Sequence, residues 1–260
     1  LNQSPASHPD LEPAAPPPGP ISIRLPSSLP RVTYVILGLT IFVYLLQMAS
    51  TFLLSYDLPL MLGAKESDLI RQGQLWRLLT PILLHGSILH IGFNMYALFI
   101  FGTRLESRFG HARFLALYLL AGFSGNVLSF LFSSGVAVGS STSIFGLIAA
   151  EGIFLYQNRK MFGEEAKRAI GNVASVAAIN LLIGFSSGGL IDNWGHIGGL
   201  LGGLVFTWFG GPLWQVEGTY PLLHLVDKRT SRNVMLGAVL VIVIFGGLAM
   251  LGMMSIIVPK

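Results

Sequence analysis

The sequence predicts an all-α, polytopic membrane bundle, and three observations predict it. Apolar runs of about 20 residues, the length a helix needs to cross a bilayer, recur along most of the chain. Only 11% of the 260 residues are charged and 52% are hydrophobic, with a mean hydropathy of +0.67; soluble domains carry roughly a quarter charged residues. The apolar stretches are continuous rather than alternating, which disfavours a closed β-barrel.

In chain order, residues 1–30 form a proline-rich segment that buries too little apolar surface to fold and reads as a disordered tail. The chain begins at Leu1, reads as a piece of a longer one, and shows no evident signal peptide. Seven spans follow, at 32–54, 86–104, 112–133, 141–157, 168–186, 194–210 and 233–257. Between the first two, residues 55–85 mix Asp57, Lys65, Glu66, Asp68, Arg71 and Arg77 with Leu, Met and Trp76. That mixture suits an interfacial loop with short amphipathic helices. Three stretches result: the tail (1–30), six spans with their interfacial loop (31–212), and a linker with the seventh span (213–260).

Composition also excludes. With no cysteine, the chain has no disulfide, no thiol chemistry and no Cys-ligated metal. The net charge of +4 sits in short loops between spans and not on a phosphate-binding face, so nucleic acid is not expected as a partner. If the N-terminus is cytoplasmic, 12 of the 16 Lys and Arg residues fall on that side. The positive-inside rule then places the loops holding Ser141, Asp192 and residues 55–85 on the outer side. The expected location is a plasma (inner) membrane.

The chemistry centres on Gly139–Gly146. Here four hydroxyl residues in a row, Ser140, Ser141, Thr142 and Ser143, interrupt an apolar chain at the start of a span. Ser and Thr are ordinary helix N-caps, and small residues let membrane helices pack closely. A nucleophilic serine there would also have unpaired backbone N–H groups beside it, part of an oxyanion hole.

Two other spans begin with polar residues at matching depth. His90 and Asn94 are four apart and share a helix face; such residues face a cavity or bond between helices. His85 lies nearer the surface. His196 stands alone in a glycine-dense span, where Gly198/Gly202 and Gly199/Gly203 permit close helix approach. Ser141 to Tyr156 covers about 22 Å and His196 to Trp208 about 18 Å at 1.5 Å per residue, so the hydroxyl and imidazole share a similar depth if both helices end near the inner interface. A nucleophile, a base and two hydrogen-bond donors suit acyl transfer. No carboxylate lies at ligand spacing from the histidines, and no metal is expected. Asp192 reads as an exposed loop residue, Glu151 as a paired or protonated buried acid, and Arg77 and Glu106 as loop-fixing residues. His111 and His224 sit in inner segments, away from the cavity.

The chain here resembles the rhomboid intramembrane serine proteases. Gly139-Ser140-Ser141-Thr142 is similar to their GxSx motif, and Trp76-Arg77 to their WR pair. His85, His90 and Asn94 are similar to their HxxxxHxxxN helix, and Trp194–Gly199 to their catalytic histidine segment. The resemblance runs from about residue 60 to 210. It implies a Ser141–His196 dyad without a third carboxylate, and an oxyanion hole from His90, Asn94 and the Ser141 N–H. It implies that Phe145 packs on the imidazole, that the core has six spans and one extra C-terminal helix, and that no cofactor is needed. Where the family shows glycine after the serine, Thr142 stands here, and this β-branched residue should stiffen the loop beside the nucleophile.

The expected function is therefore a membrane-embedded serine endopeptidase, cleaving transmembrane proteins within the lipid bilayer; the resemblance implies a cut at a helix-destabilised stretch after a small residue. The alternative is a catalytically inactive rhomboid-like chaperone or adaptor that binds membrane proteins. A transporter would need internal repeats and broken helices, which are not evident. The span near 168–186 is the expected lateral gate.

Overall fold

The computed structural model describes residues 27–219 and 222–254. The proline-rich segment up to residue 26 and residues 255–257 of the expected last span lie outside the described residues. In chain order the helices are α1 (Arg31–Leu54), α2 (Leu58–Gly63), α3 (Ser67–Arg71), α4 (Ile88–Phe109), α5 (His111–Phe132) and α6 (Ser141–Gln157). They continue with α7 (Arg159–Phe162), α8 (Glu164–Ser186), α9 (Asn193–Gly210) and α10 (Ser231–Met254). Two 3₁₀ turns, Leu75–Leu78 and Thr80–Leu83, precede α4, and a hairpin of β1 (Trp214–Glu217) and β2 (His224–Asp227) joins α9 to α10.

Each expected span coincides with one long helix. Five of them, α1, α4, α5, α8 and α10, are long and apolar enough to cross a membrane. The other two are α6, with 17 residues and mostly buried, and α9, with 18 residues, whose glycine face is buried while Leu201, Leu204 and Trp208 stay exposed. Helices α5, α6 and α9 pack against one another more than any other elements.

Glycine makes that packing possible. The stripe Gly199/Gly203 of α9 faces α6: a Cβ at Gly199 would lie 2.0 Å from the carbonyl oxygen of Thr142, and one at Gly203 would lie 2.4 Å from that of Gly146. The neighbouring stripe Gly198/Gly202 faces Ser124 and Gly125 of α5. No side chain fits at Gly199, so the α9 backbone rests directly on the turn of α6 that carries Ser141.

Polar pins hold the two ends. At the end remote from Ser141, Glu106 of α4 caps α1, accepting from the backbone N–H groups of Val32 (2.8 Å) and Thr33 (2.7 Å) and from the Thr33 hydroxyl. A carboxylate suits the positive end of a helix dipole. Buried Glu151 of α6 accepts from Arg108 of α4 at 2.8 Å. Asp227 of β2 accepts from Arg113 of α5, tying the hairpin to the bundle. The hairpin is antiparallel, with Trp214 opposite Asp227 and Glu217 opposite His224. The sequence reading of 213–230 as a plain linker missed it.

At the other end, the 55–87 segment folds against α1 and α5. Gln47, the one carboxamide in apolar α1, donates to Asp57 (2.7 Å) and to the His85 carbonyl (3.2 Å) and accepts from the His85 N–H (3.1 Å). Arg77 is buried and donates to Gln74 Oε1 and to the carbonyls of Ala64 and Met61 at 2.6–2.7 Å. A cation at the last carbonyls of α2 satisfies groups that the helix leaves unpaired.

Candidate active site

Ser141 opens α6, and His196 lies in the first turn of α9. Their side chains meet: His196 Nε2 is 3.0 Å from Ser141 Oγ. With Nε2 unprotonated, the serine hydroxyl donates to it. The other ring nitrogen, Nδ1, is buried and has no hydrogen-bond partner among the described residues. The ring is held from its face instead. Phe145, one turn after Ser141, stacks on the imidazole with centroids 4.0 Å apart and planes 10° from parallel. Both rings are buried, while Ser141 keeps partial exposure.

Gly139 sets the approach to the serine. Its φ of +126° is a conformation that favours glycine. A Cβ there would also lie 2.7 Å from His90 Nε2 and 3.6 Å from Ser141 Oγ. His90 and Ser141 therefore flank one small space above the Gly139 backbone. The Gly139 N–H donates to the Pro81 carbonyl at 2.9 Å, which ties this point to the second 3₁₀ turn.

The remaining expected site residues are placed as follows. Ser87 caps α4 by accepting from the His90 N–H at 3.2 Å, so His90 and Asn94 lie in the first two turns of that helix. Asn94 is buried, and its amide donates to the His90 carbonyl one turn back at 2.9 Å; it is not turned onto Ser141. His85 packs edge-on to His90, with centroids 5.0 Å apart, and faces Ser140, whose hydroxyl lies 3.4 Å from Nε2. Burial, with a smaller contribution from neighbouring His90, pushes the His85 pKa down to about 3. Trp76 is half-exposed and donates to the Leu62 carbonyl at 2.9 Å. Trp76 and Arg77 thus fix the 55–85 loop and do not reach the dyad.

Two expectations need correction. Asp192 is not an exposed loop residue: it is partly buried and caps α9, accepting from the Gly195 N–H at 3.1 Å. Aspartate is a strong N-cap, and the four first N–H groups of α9 need such an acceptor. Thr142 does not stiffen a loop, because it lies in the first turn of α6, where its side chain occupies room left by Gly125 and Gly195. Lys65 and Gln47 were not singled out from the sequence. An isolated amide in an apolar span was the signal for Gln47.

A hydroxyl bonded to an imidazole, beside unpaired helix N-terminal N–H groups and a second imidazole, can carry out nucleophilic acyl transfer. Among the described residues, no cluster of three or more His, Cys, Asp or Glu residues is arranged to hold a metal ion.

The chain is similar to known proteins of one family. Residues 72–213 match the Rhomboid domain model. The chain is 43% identical over 175 residues to Rhomboid protease GluP of Bacillus subtilis, covering 67% of this chain and 34% of that protein. It is 35% identical over 161 residues to RHOMBOID-like protein 9, chloroplastic, of Arabidopsis thaliana (62% of this chain, 37% of the relative). It is 35% identical over 196 residues to Rhomboid-like protease 1 of Toxoplasma gondii, with 66% of each covered. The chain thus spans between about a third and two thirds of the length of these relatives. With the domain model matching more than half of its length and five helices apolar enough to span a bilayer, this integral membrane protein belongs to the rhomboid family.

Proposed function

We propose that the chain is an intramembrane serine endopeptidase that hydrolyses peptide bonds in or beside transmembrane segments of other membrane proteins. The 3.0 Å contact between Ser141 Oγ and His196 Nε2, made by residues 55 apart in sequence, is the observation that carries this reading. His196 accepts the Ser141 proton as Oγ attacks the scissile carbonyl carbon. The resulting oxyanion takes hydrogen bonds from the Ser141 N–H and from His90, with Asn94 turning from its own helix to join them. The imidazolium then gives its proton to the departing amine, and an acyl-enzyme remains on Ser141. Water, deprotonated by His196, releases the acid. Phe145 supplies through ring packing the orientation that a carboxylate gives in three-membered sites.

The proposed topology is seven spans, with α6 and α9 crossing as part of a six-helix core and α10 added to it. The N-terminus lies in the cytoplasm and Ser141 opens to the outer side of a plasma (inner) membrane. The Lys and Arg distribution supports that orientation.

The test is covalent. The purified protein in lipid vesicles should cleave a transmembrane reporter and react with a fluorophosphonate probe, and peptide mapping should place the adduct on Ser141. Absence of any adduct would leave only a membrane-protein-binding role; an adduct on another residue would move the nucleophile.

A further inference from the structure

Lys65 follows α2 and is fully buried, a place where an ammonium group is rare unless paired. Its Nζ donates to the carbonyls of Ser133 at 2.9 Å and Gly135 at 2.6 Å. Its backbone pairs with Ala137 as an antiparallel bridge, Lys65 N–H donating to the Ala137 carbonyl at 2.9 Å and Ala137 N–H to that of Lys65 at 3.1 Å. One residue therefore makes four hydrogen bonds to the segment between α5 and α6. Ser133 caps the C-terminus of α5, where the helix dipole favours a cation.

That segment ends at Gly139, which adjoins both His90 and Ser141. Lys65 also interacts electrostatically with Asp192, the residue that caps α9 one turn before His196. Burial lowers the Lys65 pKa and the Asp192 charge opposes that fall. Lys65 thus holds the segment leading into Ser141 by its own hydrogen bonds.

We propose that Lys65 is a positioning residue for the dyad: its ammonium group fixes the 133–139 segment and thereby sets the approach of Ser141 Oγ to His196. This rests on the reading of Ser141 as nucleophile and His196 as base. Removing the charge leaves two buried carbonyls without their donor, and the segment must shift to solvate them. A displacement of about 1 Å at a reacting group can cost on the order of a hundredfold in rate.

The experiment compares wild type with Lys65→Met, which keeps the apolar stem and removes the ammonium group. Full-length protein in lipid vesicles is assayed well below its thermal midpoint for fluorophosphonate labelling rate and for kcat and KM on a transmembrane reporter. The expected result is a tenfold to hundredfold fall in kcat and labelling rate, KM within about twofold, and no matching loss of folded protein. A wild-type rate in folded Lys65→Met overturns the proposal, as does a loss explained wholly by the unfolded fraction. If Lys65→Met fails to fold, Lys65→Gln, a shorter side chain with neutral N–H donors and no ammonium group, is measured instead: a fall in kcat and labelling rate of about threefold or more with KM unchanged supports the role of the ammonium group, and rates equal to wild type overturn it. A wild type that resists the probe sinks the protease reading instead, so the two failures are distinguishable.

Discussion

Two neighbouring serines each face an imidazole, from opposite sides of the start of α6. Ser141 Oγ lies 3.0 Å from His196 Nε2, and Ser140 Oγ lies 3.4 Å from His85 Nε2. The second pair is shut in: Ser140 is fully buried and His85 nearly so. His85 Nε2 is also approached by the Ser140 N–H at 3.5 Å. It therefore acts as an acceptor that closes the loop before α6. The first pair keeps an accessible hydroxyl, a ring aligned by Phe145, and a glycine backbone that leaves space between Ser141 and His90. On the proposed reading, a hydroxyl beside an imidazole is insufficient for nucleophilic chemistry, and the site must also admit a carbonyl carbon.

The sharpest way to break this comparison is to remove each partner of the accessible pair. Ser141→Ala and His196→Ala should each lower reporter cleavage by about 10³-fold or more, as expected for groups that work as a unit. Activity within tenfold of wild type in either variant would return the nucleophile or base to another residue. The buried pair should respond to acid instead of to substrate. The His85 pKa of about 3 lies below its unfolded value near 6.5, so the unfolded chain binds a proton that the folded chain excludes. Stability from this group is complete above pH 6.5 and declines as pH falls from there towards 3, by about 3 kcal/mol at pH 4. His85→Asn should flatten the fall of the thermal midpoint between pH 7 and pH 4; an unchanged slope would show that His85 is not the group responsible. Next in size is Phe145→Ala. It loses a ring pair worth about 1 kcal/mol beyond its burial, so kcat should drop about fivefold to tenfold. A rise in KM with unchanged kcat would assign Phe145 to substrate binding.

Much of this arrangement was legible because membrane helices announce themselves locally. All seven expected spans coincide with a helix, since apolar length is read directly from composition. The two glycine stripes of α9 were legible for a related reason: residues four apart must share a face, and the absence of a side chain tells what the face admits. Depth matching across separate spans foretold that Ser141 and His196 would lie level. What stayed hidden depends on partners distant in sequence. Lys65 was counted among loop charges because nothing in its neighbourhood shows that the carbonyls of Ser133 and Gly135 lack donors. Asp192 looked exposed because the need of α9 for a cap is a property of the folded backbone. The hairpin from Trp214 to Asp227 has two four-residue strands without a regular alternation, and its anchor is Arg113, 114 residues away.

The smallest expected effect is the most discriminating. Ser140 and Ser141 are adjacent and chemically identical, and the sequence supplies only motif spacing to choose between them. In the structure Ser140 Oγ sits behind Gly139 against His85, where a substrate carbonyl has no access. Its 3.4 Å contact is long for a hydroxyl hydrogen bond, so its loss should cost at most about 1 kcal/mol of stability. Ser140→Ala should therefore retain kcat within about threefold, with the same fluorophosphonate adduct on Ser141. A collapse of activity equal to that of Ser141→Ala, in a variant that still melts like wild type, would exchange the roles of the two serines. His85 would then have to be the working base, despite a pKa near 3 that leaves it a poor proton acceptor at neutral pH. The pH profile of Ser140→Ala settles the matter independently: retention of the wild-type acid limb means that the base of the reaction is not the imidazole that Ser140 faces.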